Sequence, residues 1–199
     1  MATLVLLRGI VAARMFPTRE SLPLGQSLLT VADMPSGWRS GSRRIYRNGQ
    51  RNRADGWAQR ARKARLNAYA QGFFEGRGKL GGGSSNLTVY ASADDAHEAF
   101  EALKGNYMAN PRTALSAFET SRSALVIDPP IGDEYWAEVL DVGTVQGRAG
   151  QQFVVRWRQG RYICAVALAG EVGRFADADL RRLAQVQADR LGEFTAAKN

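Results

Sequence analysis

Two of the side chains on which catalytic and metal chemistry most often depends are almost missing from this chain of 199 residues, which has one cysteine, Cys164, and one histidine, His97. A lone cysteine excludes an internal disulfide and leaves the redox compartment unread. Four Cys or His ligands do not exist, so the usual structural zinc sets are excluded, and no metal or cofactor is expected. A long apolar run is also lacking. Leu4 to Phe16 is interrupted by Arg8 and Arg14 and is too short to span a bilayer, so no transmembrane span is expected. With no basic stretch ahead of it, the run reads as an amphipathic or disordered leader better than as a secretory signal. Pro17, Pro23 and Gly25 then mark a linker, which makes residues 1–26 leader and linker and residues 27–199 a single α+β domain.

Acidic residues are scarce over the first 80 positions, 4 against 15 Lys plus Arg, whereas the whole chain carries a net charge of +8. The basicity therefore belongs to one region. Arg39 to Arg53 reads as a polar, irregular or weakly extended arm with six arginines, followed from Asp55 to about Phe74 by a helix whose apolar residues do not share one stripe. Arm and helix together span 39–74. The glycine cluster Gly76 to Ser85 is not a phosphate loop, because Gly78-Lys79 is followed by Leu80 and the next element is a strand; it reads as a flexible connector.

Elsewhere the patterning is definite. From Gln152 to Gly170 the chain sorts its side chains by face when folded about a two-residue turn at Gln159-Gly160, with Arg158 opposite Arg161. Phe153, Val155, Trp157, Tyr162, Cys164, Val166 and Leu168 fall on one side, and burying them is worth roughly 10 to 20 kcal/mol before entropy is subtracted. Arg156, Arg158 and Arg161 fall on the other. Glu134 to Val142 joins this hairpin through a loop at Gly143 to Gly150 as a further antiparallel strand. Ser27 to Met34 predicts a short capped helical turn stopped by Pro35-Ser36-Gly37, and Trp38 opens a first strand. Leu87 to Ala91 predicts a strand, Ser92 to Asp95 a capped helix start with Ala96, Ala99, Phe100 and Leu103 inward, and Asn110-Pro111 its end. Ala114 to Thr120 and Ala124 to Ile127 are strand-like. A last helix is expected from Asp177 to about Phe194, with Leu180, Leu183, Ala184, Leu191 and Phe194 inward. The fold class is α+β: an antiparallel sheet with a C-terminal β-meander and helices packed on its apolar face.

Candidate chemistry is thin, and no catalytic residue is assigned. His97 sits on an exposed part of its helix and Cys164 faces the core, so neither a Ser-His-Asp triad nor a Cys-His dyad is supported. Glu134 and Glu138 share a strand face and could act as an acid-base pair. In the basic region Arg43, Arg44, Arg47, Arg51, Arg53, Arg60, Arg62, Lys63 and Arg65 are interleaved with Trp38, Tyr46, Trp57 and Tyr69, which suits nucleic acid or anionic lipid, although no nucleic-acid-binding signature organises them.

Four segments carry a family resemblance: LLTVADMPSGW from Leu28, VYASADDAHEAF from Val89, PPIGDEYWAEV from Pro129, and FVVRWRQGRYICAVAL from Phe153 with its closing helix. Together they resemble actinobacterial extracytoplasmic sensor-like and lipoprotein domains, of the kind found as the extracellular sensor domain of a mycobacterial Ser/Thr kinase. The resemblance spans most of Leu28 to Leu191. It implies an α+β domain outside the cytoplasmic membrane that binds a ligand or partner without catalysis. The chain departs from the pattern in having no N-terminal cysteine for lipid attachment, no kinase or transmembrane segment, and a more basic Arg39 to Arg65 stretch. The combined expectation is a non-catalytic extracytoplasmic domain recognising an anionic ligand, an envelope component or a partner protein, through Arg156, Arg158 and Arg161 with Trp38 and Trp136 as aromatic walls. Two alternatives stand beside it: a nucleic-acid-binding accessory protein of the cytoplasm using the arginine-rich segment 39–65, and a hydrolase using carboxylates.

Overall fold

A computed structural model of the chain describes residues 21–47, 66–75, 81–109, 121–145 and 148–196. In chain order they form α1 (Ser21–Gln26), a single 3-10 turn (Val31–Asp33), β1 (Arg39–Arg47), β2 (Leu66–Glu75), β3 (Gly81–Tyr90), α2 (Ala93–Ala109), β4 (Ser121–Leu125), β5 (Glu134–Val145), β6 (Arg148–Gln159), β7 (Tyr162–Glu171) and α3 (Asp177–Ala196). The seven strands make one sheet in the order β1-β2-β3-β7-β6-β5-β4, antiparallel at every junction. Two meanders build it. β1 to β3 run inward from one edge, the chain passes through α2 to the other edge, and β4 to β7 return until β7 meets β3 at the centre.

The expected hairpin forms with its faces intact and its turn moved by one residue. Gln159 is opposite Tyr162 and Arg158 opposite Ile163, so the turn residues are Gly160 and Arg161. Gly160 takes the left-handed conformation, φ +57°, that two-residue hairpin turns favour and that only glycine adopts without strain. Moving the turn by one residue shifts each cross-strand partner by two, which preserves side-chain parity. Trp157, Cys164, Leu87 and Tyr135 consequently form one row across four strands, and Val155, Val166, Ser85 and Ala137 the next.

α3 closes this face with Leu180, Leu183, Ala184, Gln187, Ala188 and Leu191, all buried. A polar bridge runs through the same interface. Ser85 Oγ donates to Gln187 Oε1 at 2.7 Å and accepts the Leu29 N–H at 3.1 Å, while Gln187 Nε2 donates to the Asn86 carbonyl at 2.9 Å. A buried amide and hydroxyl are tolerated there because they satisfy each other. Arg190 grips Asp33 with two parallel bonds of 2.6 and 2.7 Å and fastens the 3-10 turn to α3. α2 lies on the opposite face of the sheet, where Ala96 and Phe100 pack with Tyr90, Trp136 and Ile163. Its start is capped as expected: Ser92 Oγ accepts the Asp95 N–H at 3.0 Å and donates to the Asp95 carboxylate at 2.8 Å.

Several expectations are corrected. The helix expected to reach Phe74 is a strand from Leu66 onward, because the ladder from β1 to β3 needs this segment between them and its aromatic residues suit a pleated surface. Arg39–Arg47, expected as an irregular or weakly extended arm, is an edge strand paired with β2, its register broken between Ser40 and Arg43. Gly81 to Ser85 belongs to β3 and is not a flexible connector. Its glycines leave room: a Cβ on Gly83 would stand 3.2 Å from the Trp38 ring and 3.3 Å from the Ala167 carbonyl. Ser21–Gln26 is helical despite Pro23 and Gly25, since a proline in the first turn forfeits no helical hydrogen bond, and Leu24 enters the core from there. The helical turn expected over Ser27 to Met34 contracts to Val31–Asp33. β5 and β6 continue into the expected loop, with Val145 opposite Arg148. The leader, the arginines from Arg51 to Arg65 and the Ala114 to Thr120 segment lie outside the described residues.

Candidate functional site

The arginine row lies on the sheet face that carries α2. Glu134, Trp136 and Glu138 alternate along β5 onto that face, and the register places Arg158 opposite Glu134 and Arg156 opposite Trp136. Opposite charges on neighbouring strands thus meet by geometry alone.

Arg158 is the most constrained member. Its Nη1 donates to Asp133 Oδ2 at 2.7 Å and to the Gly160 carbonyl at 3.0 Å, and its Nε donates to Glu134 Oε1. Asp133 Oδ2 also accepts the Gly160 N–H at 2.8 Å. One arginine and one aspartate therefore stitch the loop ahead of β5 to the β6-β7 turn. That loop is pinned at its other end by the Tyr135 hydroxyl, which donates to the Ile127 carbonyl at 3.0 Å and accepts the Ile127 N–H at 3.2 Å.

Arg156 lies over the Trp136 ring, 4.8 Å from its centroid, and its Nη1 donates to Glu138 Oε1 at 3.0 Å. Arg122 of β4 approaches the other oxygen of Glu138, Nε to Oε2 3.4 Å, and Trp136 Nε1 faces Oε1 at the same separation. The Glu138 side chain is 3% exposed, a depth at which a carboxylate needs paired cations. Trp136 itself is buried, with the Phe100 ring of α2 5.4 Å away, centroid to centroid. Arg161, in the turn, sits over the Tyr162 ring at 5.6 Å.

His97 of α2 completes the cluster, with Nδ1 2.9 Å from Glu134 Oε1. Burial is the largest single influence on Glu134 and pushes its pKa up, but hydrogen bonds and charge from His97 and Arg158 outweigh it and hold the carboxyl below its ordinary range. Glu134 is therefore ionised at neutral pH, the opposite of what a general acid requires. Burial pushes the Cys164 thiol up, away from the reactive thiolate. Among the described residues no group of three or more His, Cys, Asp or Glu could hold a metal ion.

The sequence-predicted site residues are thus only partly brought together. Arg156, Arg158, Arg161 and Trp136 cluster around β5, β6 and the β6-β7 turn. Trp38 lies on the other face, buried in the main core with the Phe175 ring edge-on at 5.7 Å. Arg43, Arg44 and Arg47 are on the edge strand β1, at the far side of the sheet from β5. Parity had already placed Glu134 and Glu138 on one face. What it did not reveal was their pairing with arginines, which depends on register, or the His97 contact, which depends on how α2 crosses the sheet.

No family model matches the chain, and no curated protein matches it in sequence. Its structure is similar to the extracellular domain of PknH from Mycobacterium tuberculosis, with a TM-score of 0.56 and 8% sequence identity over 85% of this chain and 93% of that one. At this identity the likeness is one of fold, and it agrees with the loose resemblance read from the four sequence segments. No helix among the described residues is long and apolar enough to cross a membrane.

Proposed function

We propose that this chain is a non-catalytic binding domain of the extracytoplasmic sensor type, which recognises a carboxylate, phosphate or sulfate group presented by a ligand or partner. The observation that carries this reading is the shared fold with an extracellular domain over 85% of the chain. The chemistry of the α2 face supports it. Arg156 and Arg158 lie on this face of β6, Arg156 over the Trp136 ring, and Arg161 follows in the β6-β7 turn over the Tyr162 ring. Arg158 holds that turn in shape through Asp133 and Glu134, so Arg161 and Arg156, the latter also paired with Glu138, are the side chains to test for recognition. The carboxylates that could have served a hydrolase each face an arginine instead.

The test has two parts. A reporter that matures only outside the cytoplasmic membrane, fused after residue 199, is expected to be active in the native cells. A thermal-shift screen of phosphorylated, sulfated and carboxylated compounds is expected to find stabilisers, and Arg161→Glu or Arg156→Lys, which keeps a cation beside Glu138 but loses the planar fork, should weaken their effect about tenfold in concentration, the size of one lost charge-assisted hydrogen bond. A silent reporter together with equal stabilisation of wild type and both variants would overturn the proposal.

A further inference from the structure

One contact on the α2 face is not needed for ligand recognition. His97 lies just beyond the first turn of α2, and its Nδ1 meets the same Glu134 oxygen that accepts from Arg158 Nε. The apolar anchor of the helix is small: Ala96 and Phe100 pack against Tyr90, Trp136 and Ile163 in a cluster distinct from the larger core beneath α3. A single polar contact can weigh appreciably on how firmly such an element is held.

We propose that the His97–Glu134 contact is an acid-strengthened clamp, in which protonation of the imidazole turns a neutral hydrogen bond into a charged pair and holds α2 more tightly on the sheet at mildly acidic pH. The state of the carboxylate favours it. Glu134 is held below the ordinary carboxylate range, so it remains an anion through the interval in which a histidine acquires its charge.

The surroundings have mixed signs. Glu134 and Glu138 of β5 and Arg156 and Arg158 of β6 share the sheet face that carries α2, and Tyr90 of β3 packs against the helix there. On the helix itself Asp94, Glu98 and Glu101 are exposed and offset the helix dipole, which opposes a cation near the N-terminus. Arg158 competes for the same carboxylate, and the His97 side chain is 58% exposed, so the clamp is modest. The clamp acts in one direction: the charged imidazole meets the Glu134 carboxylate only when α2 is docked, so its formation favours the docked state.

Hydrogen exchange read by mass spectrometry at pH 5.0 and pH 7.5, each corrected for intrinsic exchange rates, tests the clamp. In the wild-type chain the protection of 93–109 is expected to rise about two- to five-fold on acidification, as an exposed ion pair allows, with α3 unchanged. His97→Gln retains a neutral donor at an exposed position, so it should fold normally and show no such rise; Glu134→Gln should abolish the rise as well. An equal rise in His97→Gln, a fall in protection on acidification, or the same change in α3 would overturn the proposal.

Discussion

Gly132 shows how much one residue can be required by its neighbours. Its backbone is left-handed, φ +66°, and a Cβ there would stand 2.3 Å from the Arg158 carbonyl oxygen and 2.7 Å from Trp157 Cδ1. The tight approach lets the next residue, Asp133, donate its N–H to that carbonyl at 2.8 Å and present its carboxylate to the turn. Gly132→Ala combines an unfavourable φ with a clash against backbone, and is expected to destabilise the fold by about 2 kcal/mol or more in chemical denaturation, with Arg158 displaced from Asp133. In the sequence, Pro129 to Gly132 reads only as a turn ahead of a strand. The identity of what presses on Gly132 depends on residues 26 positions away, which no local pattern conveys.

Among elements, the 3-10 turn and α3 illustrate a junction made by charge. Burial is the largest single influence on Asp33 and pushes its carboxyl up, but the Arg190 guanidinium and the Thr30 N–H and hydroxyl outweigh it and hold the carboxyl below its ordinary value of 3.8. A depressed carboxylate stabilises the fold above its unfolded pKa and loses that contribution as the pH falls through its folded value. Asp33→Asn is therefore expected to cost about 1.5 to 3 kcal/mol at pH 7, the range for hydrogen bonds to a charged group. The gap from wild type should narrow as the pH falls below 3.8 and Asp33 is protonated in the folded chain too, which urea titrations at pH 7, 4 and 2.5 would follow. The helical turn and the final helix were each legible from caps and periodicity, but their ion pair joins residues 157 apart and was not. Strand β2 departs from its sequence pattern for a related reason. Trp57, Ala61, Ala64 and Ala68 fall at helical spacing, while Tyr69, Phe73 and Phe74 suit a strand, and only the need for a partner between β1 and β3 decides the second half.

Across the whole molecule, stability should follow strand order. β7 lies at the centre of the sheet, paired on both sides over nearly its full length, while β4 is a five-residue edge strand and β1 an edge with an irregular register between Ser40 and Arg43. Native-state exchange is accordingly expected to leave β7, β6 and α3 to the global unfolding limit and to release β4 and β1 first; equal protection across the sheet would contradict this.

The sequence by itself determined the α+β class, the hairpin faces, the buried cysteine, the last helix and the capped start of α2. Each of these depends on side chains within a few positions of one another, where the periods of strand and helix speak directly. Only the tertiary structure decided that two meanders join at β3 and β7, that a glycine tract is a strand crossed by Trp38, and that α2 covers the face bearing the arginines. It alone matched Glu134 to Arg158 and His97, and Glu138 to Arg156. Register, crossing direction and the burial of ion pairs are settled by contacts far apart in the chain, and one residue sequence carries no local mark of them.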